Sequence, residues 1–192
     1  MGIDQTRDKI VSVADKLFGR FGFQRTSMDE IAKISRKAKG SLYYHFSSKE
    51  KLFREVVQNE VNELKAKLLD VVNCNVFTCG GKLQKYMLTR MELMQGATNY
   101  LETIQPGDFD HFEFLDDIRR DLDAWEKERL ITILNEGVER GEFDIKLDTE
   151  ILSDMFIMIV KGLEVPFFIQ GKYEQYLPHL DEMAKIFIKG LK

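Results

Sequence analysis

Apolar residues recur at three- and four-residue intervals along almost the whole chain, and strict apolar–polar alternation is nearly absent. With 3 prolines and no hairpin dipeptide between apolar runs, the pattern predicts an all-α protein. Ile10, Val13, Ala14, Leu17, Phe18 and Phe21 form the stripe of a first helix, closed by Gly22 at a C-cap position. Ser27-Met-Asp-Glu30 is a capping box that opens a short helix bearing Met28, Ile31, Ala32 and Ile34. A break near Ser35 to Lys37 precedes a second short helix, Lys39 to Phe46. Ser47 or Ser48 then caps a long helix with Leu52, Phe53, Val56, Val57, Val61, Leu64, Leu68 and Val72 on one side.

The stretch from Asn73 to Gly81 is polar and glycine-containing, which predicts a loop. Lys82 to Tyr100 reads as a methionine-rich amphipathic helix, and Glu102 to Asp117 as irregular at its start, around Pro106-Gly107. Asp121 to Arg140 is a further helix ended by Gly141. Asp148 caps a helix from Thr149 whose apolar residues lie nearly all round it, a pattern that predicts burial on every side. Pro166 kinks or ends it, and a last helix runs from about Gln175 to Leu191.

Composition sets the class. The chain has 192 residues, 44% apolar and 31% charged, enough apolar material for a packed core without disulfide or metal. Its longest stretch free of charged residues and histidine, Val71 to Gly81, is too short and too polar to span a membrane. The first residues show no basic region followed by an apolar run, so a cytoplasmic location is expected. The net charge of −4 conceals an asymmetry. Residues 1–56 hold 12 Lys and Arg against 7 Asp and Glu, whereas residues 57–192 hold 16 against 25. A basic head of +5 precedes an acidic body of −9.

Two short helices separated by about four residues, behind an amphipathic helix, make a helix-turn-helix layout, which sets its second helix in the DNA major groove. Within it, Ile31-Ala-Lys-Ile-Ser-Arg-Lys-Ala-Lys-Gly-Ser-Leu-Tyr-Tyr-His-Phe46, followed by Ser48-Lys-Glu-Lys-Leu-Phe53, resembles the DNA-binding signature of the tetracycline-repressor (TetR) family. Leu17-Phe18, Phe21-Gly22-Phe23 and Thr26 to Ile31 fit as well. The resemblance is strong over residues 7–55. Farther along, only Ile133 to Phe143, Asp148 and Gly162-Leu163 look like the family's later helices.

Gly40 lets the recognition helix approach the bases closely, with Lys39 and Ser41 facing the groove beside it. Tyr43 is the candidate for a base or thymine-methyl contact. By resemblance, Tyr44 and His45 reach phosphates, as do Thr26 or Ser27 and Lys49 at two helix N-termini. Leu42 and Phe46 read as core. The turn departs from the family's usual Gly, apolar residue and Ser, placing Arg36, Lys37 and Ala38 there. Arg36 must then take a positive φ, and Ala38 is a poor N-cap, while the two extra cations can add phosphate contacts.

The resemblance implies a DNA-binding domain at residues 1–48 and a ligand-binding and dimerisation domain at residues 49–192. It implies a homodimer through the last two helices, a palindromic double-stranded DNA operator and a small-molecule effector. The expected role is a ligand-responsive repressor. A same-fold activator stays open, as does an all-α ligand-binding protein or enzyme with a vestigial head, although the +5 head and intact Tyr43-Tyr44-His45 speak against the latter. Candidate pocket residues are Met87, Met91, Met94 and Tyr100, with Phe112, Trp125, Met155 and Met158, since Met and aromatic side chains build adaptable apolar pockets. No nucleophile elbow, P-loop, GxGxxG or paired-His motif appears, so no enzymatic activity, cofactor or metal is expected. Acidic residues from Asp108 to Asp117 surround His111 as a solvated loop. Cys74 and Cys79 lie in the predicted loop, where a redox pair could move the long helix, yet two thiols are too few for a zinc site.

Overall fold

The computed structural model describes the backbone of residues 3–106 and 109–192, and the side chains of residues 5–106 and 111–192. Gly107, Asp108 and the side chain of Asp110 therefore lie outside the described residues. The described chain is helical throughout: α1 (Ile3–Phe21), α2 (Met28–Ser35), α3 (Lys39–His45), α4 (Lys49–Val72), α5 (Cys79–Gly96), α6 (Thr98–Glu102), a 3₁₀ segment (Phe109–Leu115), α7 (Asp116–Glu139), α8 (Thr149–Gly162), a π-turn (Val165–Ile169) and α9 (Tyr173–Lys189). It forms two compact units. The first comprises residues 1–62 and 97–116, the second residues 63–96 and 117–192.

In the first unit, Ile10, Val11, Ala14 and Phe18 of α1 meet Ile31 and Ala32 of α2, Leu42 of α3 and Leu52 and Phe53 of α4 in a dry core. Gly22 takes φ +84 at the end of α1, a conformation open to glycine, and its N–H donates to the Phe18 carbonyl at 2.7 Å. Phe21 and Ile34, counted on the apolar stripes, are about half exposed instead. The basic head also extends farther than its sequence suggests. Phe112 packs against Phe23 and Phe53, with ring centroids 5.6 and 5.5 Å apart, and the Arg54 guanidinium donates to the Phe114 carbonyl at 2.8 Å.

The α6 helix is fastened to the same unit by carboxylates. Its N-cap residue, Ala97, has no side chain that can cap, so the free N–H groups of Asn99 and Tyr100 donate to Glu60 of α4 at 3.1 and 2.7 Å. The Asn99 amide also donates to Glu60 and to Asp15 of α1, at 2.9 and 2.8 Å. Burial raises the Glu60 carboxyl above its ordinary range, opposed by these donors and reinforced by Asp15. The N–H of Phe23 donates to Glu102 at 2.7 Å.

The second unit packs α5, α7, α8, α9 and the end of α4. Helix α5 begins at Cys79, so Cys79 to Gly81 form its first turn, not a loop. It ends at Gly96, and the predicted single helix to Tyr100 is two helices, divided at Ala97. Helix α7 starts at Asp116, earlier than the periodicity suggested. A Cβ at Gly137 would overlap the Phe143 ring, which folds back over α7 at that point. Asp148 caps α8, accepting from the Glu150 N–H at 2.7 Å.

The expectation for α8 is corrected. Leu152, Phe156, Ile157 and Val160 are buried, but Ile151, Met155, Met158 and Ile159 are exposed. These four recur at helical spacing along one side, so the residues that seemed to make α8 buried all round form a bare apolar stripe. Helix α9 is similarly two-sided, with Leu180, Ala184 and Ile188 inward and Leu177 and Ile186 outward.

Candidate nucleic-acid interface

Ser27 caps α2 as the sequence predicts. Its hydroxyl accepts from the Glu30 N–H at 3.2 Å and donates to the Glu30 carboxylate at 2.9 Å, which also accepts from the Ser27 N–H at 3.0 Å. The bonds from the hydroxyl and then the N–H hold the Glu30 carboxyl below its ordinary range. Arg36 then takes φ 57 and ψ 42, the left-handed conformation expected of it, and the N–H of Lys37 returns to the Ala32 carbonyl at 3.0 Å. The Lys37 ammonium donates to Thr6 Oγ1 at 3.0 Å and ties the turn to α1. Ala38 stands at the N-cap of α3 without a side-chain bond.

Helix α3 buries Leu42, and Phe46 behind it is buried too, with the Arg7 guanidinium over its ring. The opposite side carries Lys39, Gly40, Tyr43 and Tyr44 in solvent, with Ser41 and His45 half-buried. Neither tyrosine serves the core, Tyr43 being 42% and Tyr44 77% exposed. A Cβ at Gly40 would meet nothing within 4 Å, so no contact inside the protein requires glycine there. Lys39 reaches across to α2, with Nζ 2.8 Å from Asp29 Oδ1 and 5.9 Å above the Tyr43 ring. Asp29 raises the Lys39 pKa above its ordinary value, chiefly through their hydrogen bond.

Two residues placed at phosphates by resemblance also bond within the head. Thr26 is buried, and its hydroxyl donates to the Gly22 carbonyl at 2.8 Å. The Lys49 ammonium donates to the Phe23 carbonyl at 2.8 Å and lies 4.3 Å from the Phe23 ring centroid. Both hold the α1–α2 connection in shape. Ser27, Arg36, Lys37, Lys39, Gly40, Ser41, Tyr43, Tyr44 and His45 remain on the turn, on α3 or at the N-cap of α2.

Glycine accepts the left-handed conformation at no steric cost, whereas Arg36 adopts it at about 1 kcal/mol. Arg36→Gly is therefore expected to raise the thermal midpoint of the head and to weaken DNA binding by removing a cation. Melting curves and a salt titration of binding check both halves, and unchanged DNA affinity would show that Arg36 touches no nucleic acid.

The residues considered for a ligand pocket are distributed over both compact units. Tyr100 and Phe112 are core of the first unit, whereas Met87, Met91, Met94, Trp125, Met155 and Met158 belong to the second. Met87, Met91 and Met94 are buried on α5. Trp125 has the Lys65 and Arg129 cations 5.7 and 5.8 Å from its ring. Met155 lies on the bare stripe of α8, as does Met158, which also lines a cleft of about 550 Å³ with Asp123, Lys127, Asp154 and Lys161. Sequence reasoning missed a buried ionic cluster beside the α5 methionines. Arg90 donates to Glu126 at 2.8 Å and to Glu164 at 2.8 Å, and the Tyr86 hydroxyl donates to Glu126 at 3.1 Å. Its signal was present, since Arg90 continues the stripe of Leu83 and Met87 and Glu126 that of Leu122 and Leu130. Cys74 and Cys79 are both free thiols, and burial, with Glu142 and Glu136 nearby, pushes Cys79 up to about 11, away from thiolate chemistry at neutral pH.

A capped helix, a tight turn and a second helix with an aromatic, cationic exposed side define a helix-turn-helix DNA-binding regulator. Residues 10–56 match the family described as "Bacterial regulatory proteins, tetR family". The chain is 28% identical to the HTH-type transcriptional regulator QacR of Staphylococcus aureus, over 96% of this chain and 97% of that one. It is 41% identical over 56 residues to IcaR of Staphylococcus epidermidis, a negative transcriptional regulator of the biofilm operon icaADBC, which covers 29% of this chain and 30% of that one. Its fold is that of the transcriptional regulator FadR of Bacillus subtilis in complex with stearoyl-CoA, with TM-score 0.69 and 20% identity over 95% of this chain and 96% of that one. The head of the chain, residues 10–56, is thus that of the tetR family of bacterial regulatory proteins, and the chain is similar to such a regulator along nearly its whole length.

Proposed function

We propose that the protein is a cytoplasmic, ligand-responsive repressor without catalytic activity, in which residues 1–48 read DNA and residues 49–192 dimerise and bind a small effector. The observation that carries this reading is α3, which buries Leu42 and turns Lys39, Gly40, Tyr43 and Tyr44 outward. Glycine in a helix costs about 1 kcal/mol relative to alanine, and at Gly40 no neighbour within the protein repays that cost. A groove floor that must come close to the backbone does. Tyr43 then contacts bases, with Lys39 and Ser41 beside it, while Tyr44, His45, Ser27, Arg36 and Lys37 serve phosphates. The negative regulation named for IcaR and the acyl-CoA bound to FadR support a repressor released by a small molecule.

Dimerisation supplies the second half-site that a head this small needs. The bare stripe of α8 and the outward Leu177 and Ile186 of α9 support pairing through these two helices in a four-helix arrangement. Half-sites about 34 to 36 Å apart then form an inverted repeat.

Enrichment of a duplex from a randomised pool, followed by a salt titration, tests the reading. Affinity should fall with a log–log slope of about −7 if a dimer neutralises about eight phosphates. A flat response, or a pool that yields no inverted repeat, overturns it. In transcription reactions from a promoter carrying the enriched repeat, added protein should lower transcript. A rise would establish the activator instead.

A further inference from the structure

One acidic side chain intrudes on the exposed cationic side of the head. Asp29, in the first turn of α2, holds both carboxylate oxygens against the Lys39 ammonium of α3, at 2.8 and 3.0 Å. The pair is open to solvent, with side-chain exposures of 61% for Lys39 and 65% for Asp29. Ion pairs this exposed contribute little to folding, because water screens them and two flexible side chains must be ordered. Their effect on an approaching polyanion is larger.

A lysine cation on a four-carbon stem will go to the nearest phosphate of any DNA sequence. With Asp29 attached, that phosphate meets a neutralised cation and a nearby negative charge. The acceptors on a base edge, such as guanine O6 and N7, carry no formal charge and meet far less repulsion. Lys39 has further N–H groups to offer them, and it stands over Tyr43, one helical turn along α3. We infer that Asp29 is a specificity-determining positioning residue, which holds Lys39 back from phosphates and leaves it for base edges. Discrimination then arises by weakening the sequence-independent contribution to binding.

This inference rests on the DNA-reading role proposed above, and its test separates the two. The probes are the duplex enriched by the wild-type protein from a randomised pool and a scrambled duplex of equal length and composition. Asp29→Asn should raise affinity for the scrambled duplex about tenfold at 0.1 M salt and steepen the log–log salt slope by about 2 per dimer, one phosphate per head. Affinity for the enriched duplex should rise less, so the preference falls. Asp29→Glu should restore the wild-type preference. In a Lys39→Ala background, Asp29→Asn should change neither affinity nor slope, whereas an effect through α2 stability would persist there. Unchanged preference and slope in Asp29→Asn, or an effect that survives without Lys39, overturns the inference alone. Failure of the wild-type protein to enrich any sequence overturns both.

Discussion

Glutamate at both Ile151 and Met158 is expected to turn the dimer into a monomer and to lower operator affinity about 10²- to 10⁴-fold. The two side chains are 56% and 64% exposed in the single chain, so the substitutions remove little internal packing of the protomer. They lie two turns apart on the same bare side of α8 as Met155 and Ile159. Four large apolar residues aligned in this way are what the proposed pairing through α8 would cover, whereas scattered ones would be ordinary. Four carboxylates brought against each other across a two-fold axis would be desolvated without partners. Once the heads are unlinked, the second half-site is no longer held at the millimolar effective concentration that linkage provides. Light scattering and a binding isotherm on the enriched duplex read the two effects together. A double variant that stays dimeric would move the interface away from α8. A monomer with undiminished affinity would show that one head suffices.

The head was legible because its signals are local. Ser27 and Glu30 lie within one turn, Arg36 declares its positive φ by occupying a helix C-cap, and Leu42 and Phe46 are separated from Tyr43 and Tyr44 by helical period alone. What escaped depends on partners distant in sequence. Nothing near Phe112 or Asn99 shows that they complete the unit of α1 to α3, because Phe53, Glu60 and Asp15 supply the reason. Nor does the local sequence show that Thr26 and Lys49 donate to the carbonyls of Gly22 and Phe23. For α8, periodicity records how apolar each side is, and an exposed apolar side looks identical to a core side. The division into a reader at residues 1–48 and a body beyond follows the family resemblance, whereas the compact first unit also draws in residues 49–62 and 97–116.

Arg90→Ala is expected to cost about 3 to 5 kcal/mol of stability. Arg90 is fully buried, and Glu126 and Glu164 are within 2% of it, so deleting the guanidinium leaves two carboxylates in the interior without their cation. A midpoint lower by about 10 °C follows for a protein of this length. The loss depends on pH with a definite sign. Burial raises the Glu164 carboxyl above its ordinary value of 4.5, while Arg90 opposes the rise, so the substitution raises it further. A carboxyl raised in the folded state binds more protons than in the unfolded one. Its contribution is therefore fully present below about 4.5 and is lost as pH climbs through the elevated value. The variant should accordingly approach the wild-type midpoint in acid and fall away from it toward neutrality. Replacing the whole cluster, as Arg90→Met with Glu126→Gln and Glu164→Gln, should recover much of the loss, because no charge then remains to be desolvated. If Arg90→Ala instead melts below the wild type by the same interval at every pH, the cost is that of an emptied volume and not of stranded carboxylates, a difference that two melting series decide.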